Sequence, residues 1–105
     1  MDLEMISMQI IAGAGDAKGL IFDALEEAKK GNFEQAKEFV KQSEEASKNA
    51  HKAQMDLLVA QANGEVGAVD VLLVHAQDHL MTTLLAQELI KEIIRLYELR
   101  EEDKK

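Results

Sequence analysis

The chain contains no cysteine, no proline and no tryptophan, and only four aromatic residues among its 105. Without cysteine it cannot form disulfides, thiolate zinc sites or a cysteine nucleophile. Proline breaks helices, whereas the abundant Ala, Leu, Glu, Lys, Gln and Met favour them, and strands need more β-branched and aromatic residues. The composition therefore predicts an all-α protein, and its length fits one domain spanning residues 1–105.

Basic residues are also scarce, because 12 Lys and Arg face 20 Asp and Glu, which gives a net charge of −8. This charge disfavours nucleic acids and anionic membranes, and it attracts a protein partner with a basic face. No apolar run approaches the ~18 residues of a membrane span. The N-terminus lacks the basic region of a secretory signal. We therefore expect a cytoplasmic protein with no direct membrane insertion.

Apolar residues recur every three or four positions in three long segments, the pattern of amphipathic helices. Gly31 predicts the end of the first helix, and Asn63-Gly64 predicts the end of the second. Asp70 is a suitable N-cap for the third helix, which is expected to run to about Glu102. Each helix then has about 30 residues and a length of about 45 Å. Short links between long helices predict an antiparallel, up-down-up three-helix bundle.

The third helix has two different halves. In its C-terminal half the pattern predicts an ordinary amphipathic helix with one apolar and one polar arc. The apolar arc comprises Leu85, Leu89, Ile90, Ile93, Ile94, Leu96 and Tyr97, and the polar arc Gln87, Glu88, Lys91, Arg95 and Glu98. The N-terminal half, from Val71 to Leu84, is apolar on nearly all sides. A three-helix bundle covers only one side, so we expect this half to pack against copies of itself. The alternative is an unusually hydrophobic surface helix.

Polar residues cluster within that apolar half. His75, Asp78, His79 and Thr82 share one sector of the helix, and an unpaired buried polar group costs about 1–3 kcal/mol. The cluster therefore indicates a functional site. His75 and His79 could chelate a metal in a small metal-dependent hydrolase, although the usual Glu is Asp78 and a third ligand is needed.

The cluster also fits a phosphohistidine. The imidazole of His75 is nucleophilic near neutral pH, and its phosphorus–nitrogen bond is labile enough to pass the group on. Gln77, His79 and the threonines could donate hydrogen bonds to the phosphoryl oxygens. A non-catalytic trimeric scaffold is the remaining alternative.

The run Leu73-Val74-His75-Ala76-Gln77-Asp78-His79-Leu80-Met81-Thr82 resembles the active-site helix of a known family. That family is enzyme IIA of the lactose/cellobiose/diacetylchitobiose class of the bacterial sugar phosphotransferase system. The segments Ala14-Gly15-Asp16-Ala17 and Ala50-His51-x-x-Gln54 are similar to the family as well. The resemblance implies a homotrimer of three-helix bundles with nine helices in all.

The same resemblance implies the activity. Phospho-HPr would phosphorylate His75, and the group would then move to a cysteine of the partner IIB. This transfer would serve the uptake and phosphorylation of a β-linked disaccharide such as cellobiose, diacetylchitobiose or lactose. Gln77 and His79 would support His75 by orienting the imidazole or the phosphoryl group.

The family's metal position falls on Asp78. Three copies of this carboxylate would meet on the trimer axis, where they repel each other unless a cation or protons neutralise them. A hard cation with oxygen ligands fits, so we expect one structural Mg²⁺ per trimer.

Two further motifs are expected to be structural. The small residues between Gly13 and Gly19 would allow close helix packing. His51 would be a buried, hydrogen-bonding residue.

Overall fold

The computed structural model describes residues 2–104 and consists of three helices. These are α1 (Leu3–Lys29), α2 (Phe33–Ala62) and α3 (Val71–Asp103). No strand occurs among residues 2–104, so the predicted all-α, three-helix fold is confirmed for this part of the chain. The helices lie side by side in a rod of 58 × 19 × 19 Å, with α1 packed against both of the others.

The helix ends lie where the sequence predicts them. Gly31 has a φ of 85°, and the backbone N–H of Asn32 donates to the Glu27 carbonyl at 2.9 Å, which closes the last turn of α1. Gly64 has a φ of 74° just beyond α2. At the start of α3, the Asp70 carboxylate accepts a hydrogen bond from the Leu73 N–H at 2.9 Å.

The core is built largely from small side chains, which brings the helices close together. Its fully or almost fully buried alanines are Ala14, Ala17, Ala24, Ala28, Ala36, Ala50, Ala60 and Ala76. At Gly13 even a methyl group is too large. A Cβ there would lie 2.9 Å from Ala50 Cβ and 3.2 Å from the Ala46 carbonyl oxygen. The prediction of close packing is therefore confirmed at Gly13. It is wrong at Gly19, where a Cβ would meet nothing within 4 Å.

A layer of hydrogen-bonded polar side chains crosses the middle of the bundle. Ser43 Oγ donates to the Ala17 carbonyl at 2.6 Å. Gln87 Nε2 donates to the Ser43 carbonyl at 3.2 Å, to Ser43 Oγ at 3.0 Å and to Ser47 Oγ at 3.2 Å. These bonds tie the three helices together and allow Gln87 to be buried without an unpaired amide.

This layer corrects the sequence prediction for the C-terminal half of α3. Gln87 was expected on the polar arc, but it lies in the core together with Ile90 and Ile94. Leu85 and Leu96 were expected to be covered, but they are 58% and 65% exposed. Hydropathy misplaces the helix here because Ser43 and Ser47, on α2, supply acceptors that make a buried glutamine favourable.

Candidate functional site

An apolar stripe runs along the side of α3 that faces away from α1 and α2. We call it the α3 stripe, and its exposed members are Val71, Val74, Met81, Leu85, Leu89, Ile93 and Leu96. At 100° per residue these side chains project opposite to the buried positions of the helix. The stripe extends over nearly the whole of α3, not only over the N-terminal half as predicted. A contiguous apolar surface of this kind is typical of an interaction site.

His75 and His79 form a stacked pair at the edge of the stripe that faces α1. Their ring centroids lie 6.0 Å apart with an interplanar angle of 14°. His75 is exposed, whereas His79 is half-buried. The neighbouring residue of α1 is Gly15, where a Cβ would lie 3.8 Å from His79 Nε2. A side chain at position 15 would therefore contact His79, whereas the ring of His75 is exposed and accessible to another protein.

Asp78 lies within the α3 stripe itself. Its carboxylate is exposed and has no ion-pair partner among residues 2–104. Thr82 donates its hydroxyl to the Asp78 carbonyl at 2.9 Å and to the His79 carbonyl at 3.2 Å. That hydroxyl is therefore used by the helix backbone. One carboxylate thus lies among the apolar side chains of the stripe.

Gln77 lies on the opposite edge of α3, next to α2. Its Oε1 accepts a hydrogen bond at 3.1 Å from Nε2 of Gln54, a residue that is only 5% exposed. Positions two apart on a helix point about 200° apart and do not face each other. The structure therefore brings His75 and His79 together, but within one chain it does not bring Gln77 to them.

The structure also corrects the prediction for His51, which is exposed. On α2 the buried positions are Ala50 and Gln54, so residue 51 is rotated about 100° outward from Ala50. No sequence pattern indicated the hydrogen bond between Gln54 and Gln77, although the segment Ala50-His51-x-x-Gln54 includes one of the two residues. The two amides meet because of how α2 and α3 are aligned along the bundle, and the local sequence pattern does not contain this alignment.

Within residues 2–104 of a single chain, no group of three or more His, Cys, Asp or Glu side chains could hold a metal ion. The hydrolase hypothesis lacks its third protein ligand there, and a site at Asp78 needs further copies of the chain. The helices in the same range include none that is long and apolar enough to cross a membrane.

The family model "PTS system, Lactose/Cellobiose specific IIA subunit" matches residues 5–98. The lactose-specific EIIA component of Staphylococcus epidermidis is 43% identical over 96 residues, which cover 91% of this chain and 92% of that protein. The N,N'-diacetylchitobiose-specific EIIA component of Escherichia coli K12 is 44% identical over 97 residues, covering 92% and 84%.

Solved structures give the same relationship. The cellobiose-specific enzyme IIA of Bacillus anthracis superposes with a TM-score of 0.91 at 39% identity, covering 96% of this chain and 93% of that one. The IIA(Chitobiose) chain solved in complex with HPr has a TM-score of 0.82 at 40% identity, covering 96% and 98%.

Proposed function

Because the chain belongs to the lactose/cellobiose-specific IIA family of the phosphotransferase system, we propose that it carries a phosphoryl group on His75. Phospho-HPr is the donor, and a cysteine of the cognate IIB is the acceptor. The observation that carries this proposal is the exposed imidazole of His75, stacked on His79 at the edge of the α3 stripe. The role places the protein in the cytoplasm and serves the uptake of a β-linked disaccharide.

The chemistry consists of two displacements at phosphorus. A ring nitrogen of His75 attacks the phosphoryl group of phospho-HPr, and the donor's phosphorus–nitrogen bond breaks as the new one forms. In the second step the thiolate of IIB attacks the same phosphorus, and the imidazole leaves. His79 packs against the reacting ring and limits its orientation, which favours the reactive geometry.

We further propose that three copies assemble around the α3 stripe, giving nine helices. A rod only 19 Å thick cannot cover this stripe by itself, and a three-fold axis along α3 would bury it in all copies at once. Asp78 would then approach the axis from each copy. Three carboxylates form an oxygen donor set suited to a hard cation, so one Mg²⁺ per trimer fits these residues. The bound ion would neutralise the carboxylates and play no part in phosphoryl transfer.

The direct test is phosphorylation in a mixture of enzyme I, HPr and phosphoenolpyruvate, followed by intact mass measurement. We expect a gain of one phosphoryl group per chain, lost in His75→Ala and on acid treatment. His51→Ala is the matched control, because His51 is also exposed but lies on α2. Phosphorylation that persists in His75→Ala would contradict the proposal. Addition of the cognate IIB should move the label from the histidine to the IIB cysteine.

A further inference from the structure

We propose that Gln54 is a positioning residue for phosphoryl transfer. It holds the Gln77 amide with its NH₂ group outward, where that group donates a hydrogen bond to the phosphoryl group on His75 of the neighbouring copy. This inference rests on the proposed function and on the proposed trimer. It assigns a role to Gln54, the last residue of the segment Ala50-His51-x-x-Gln54. It also accounts for a role of Gln77, which lies away from His75 of its own chain.

The hydrogen bond between the two amides has a definite direction. Gln54 Nε2 donates to Gln77 Oε1 at 3.1 Å, and Gln54 is fixed in the core at 5% exposure. An amide has an acceptor oxygen at one end of its fork and two donor hydrogens at the other. Since the oxygen of Gln77 is turned inward to Gln54, its NH₂ group is directed away from the core.

The two edges of α3 carry different residues of the site. His75 shares the edge next to α1 with His79, which lies beside Gly15. Gln77 lies on the edge next to α2. Rotation about a three-fold axis along α3 brings the α1 edge of one copy against the α2 edge of the next. It also leaves every residue at its own level. His75 and Gln77 differ in level by only about 3 Å, since each residue rises 1.5 Å. The Gln77 amide of one copy therefore faces the His75 ring of its neighbour.

The charge of the phosphoryl group decides which end of the Gln77 amide it can meet. A phosphorylated side chain carries about −1.5 to −2 charges and three strong acceptor oxygens, so it needs donors around it. The NH₂ group of Gln77 supplies such a donor, whereas its carbonyl oxygen would repel the phosphoryl oxygens. Gln54 determines which end is presented and so acts through Gln77 without touching the phosphoryl group.

Two substitutions test the orientation. Gln54→Glu removes the donor and favours a flipped Gln77, whereas Gln54→Met removes the hydrogen bond with little change in length. We expect Gln54→Glu to slow phosphorylation by phospho-HPr and to shorten the lifetime of phosphohistidine about tenfold. Gln54→Met should have a smaller effect. Gln61→Glu, an exposed position on the same helix, is the charge-matched control and should behave as wild type.

A double-mutant cycle separates positioning from a general loss of structure. In a Gln77→Ala background, Gln54→Met should have no further effect on the phosphohistidine lifetime, because the residue that it positions is gone. If Gln54→Met shortens the lifetime equally in both backgrounds, Gln54 has only a structural role and the inference is wrong.

Mixed trimers test the action between copies. Chains carrying Gln77→Ala but an intact His75 are co-assembled with an excess of chains carrying His75→Ala but an intact Gln77. If Gln77 acts on the neighbouring copy, the phosphohistidine lifetime returns towards the wild-type value. If it stays as short as in the pure Gln77→Ala trimer, the inference fails. Wild-type phosphorylation in the same assay shows separately whether the carrier function itself holds.

Discussion

Gly13 and Gly19 allow the packing of α1 against α2 to be measured with one matched pair of substitutions. Both glycines lie inside α1, so replacement by alanine gives each variant the same gain in helix propensity, about 1 kcal/mol. At Gly13 the new methyl carbon would lie 2.9 Å from Ala50 Cβ. Carbon atoms prefer about 3.5–4.0 Å, so α1 and α2 must move apart. At Gly19 the methyl meets nothing within 4 Å.

The difference between the two variants therefore isolates the cost of overpacking, which is typically about 1–3 kcal/mol. We expect Gly19→Ala to be more stable than wild type by up to about 1 kcal/mol. Gly13→Ala should be less stable than Gly19→Ala by the whole cost of overpacking. In thermal unfolding this corresponds to a gap of roughly 4–8 °C per kcal/mol.

Urea unfolding and differential scanning calorimetry should be carried out at one protomer concentration, since the proposed assembly would make apparent stability concentration-dependent. The two variants should have the same helix content by circular dichroism. If Gly13→Ala is as stable as Gly19→Ala, the close approach of α1 to α2 is not a packing constraint and the reasoning is refuted.

Four further outcomes are expected. Gln87→Leu leaves the acceptors of Ser43 without their donor and should lower the free energy of unfolding by about 1–3 kcal/mol; an unchanged urea midpoint would contradict this. Leu85→Lys should dissociate the proposed trimer in sedimentation experiments, whereas Asp78→Leu should keep or strengthen that trimer while abolishing the proposed Mg²⁺ binding in calorimetry. Loss of the trimer in Asp78→Leu would mean that the axis is elsewhere. The hydrogen bond that Lys91 donates to Glu88 raises the pKa of Lys91 above its ordinary value of 10.5. The stability that the charged Lys91 adds should therefore be complete below pH 10.5 and should disappear as the pH rises through the raised pKa. This small loss of unfolding free energy at high pH should be absent in Lys91→Met.

The helix boundaries could be predicted from the sequence because they depend on local backbone chemistry. Gly31 adopts a positive φ, and Asp70 accepts a backbone hydrogen bond. Both effects involve residues close in sequence, so the sequence alone reports them. The pairing of His75 with His79 was predictable for the same reason, since positions four apart on a helix are neighbours.

The faces of α3 could be predicted only in part. Hydropathy placed Gln87 outside and Leu85 inside, but the structure reverses both. The reason is that the environment of Gln87 is made by Ser43 and Ser47, which are some 40 positions away in the sequence. The contact between Gln54 and Gln77 depends in the same way on how α2 and α3 are aligned, and no local pattern contains that information.

The predominance of alanine in the core has a consequence for how this protein can change. Where two helices pack through alanine and glycine, the neighbouring side chains are too small to rearrange around a larger residue. Enlarging one residue there forces the helices apart. We therefore expect substitutions to be tolerated mainly on the outer faces of α1 and α2. Sequence changes can accumulate there while the bundle that positions His75 keeps its geometry.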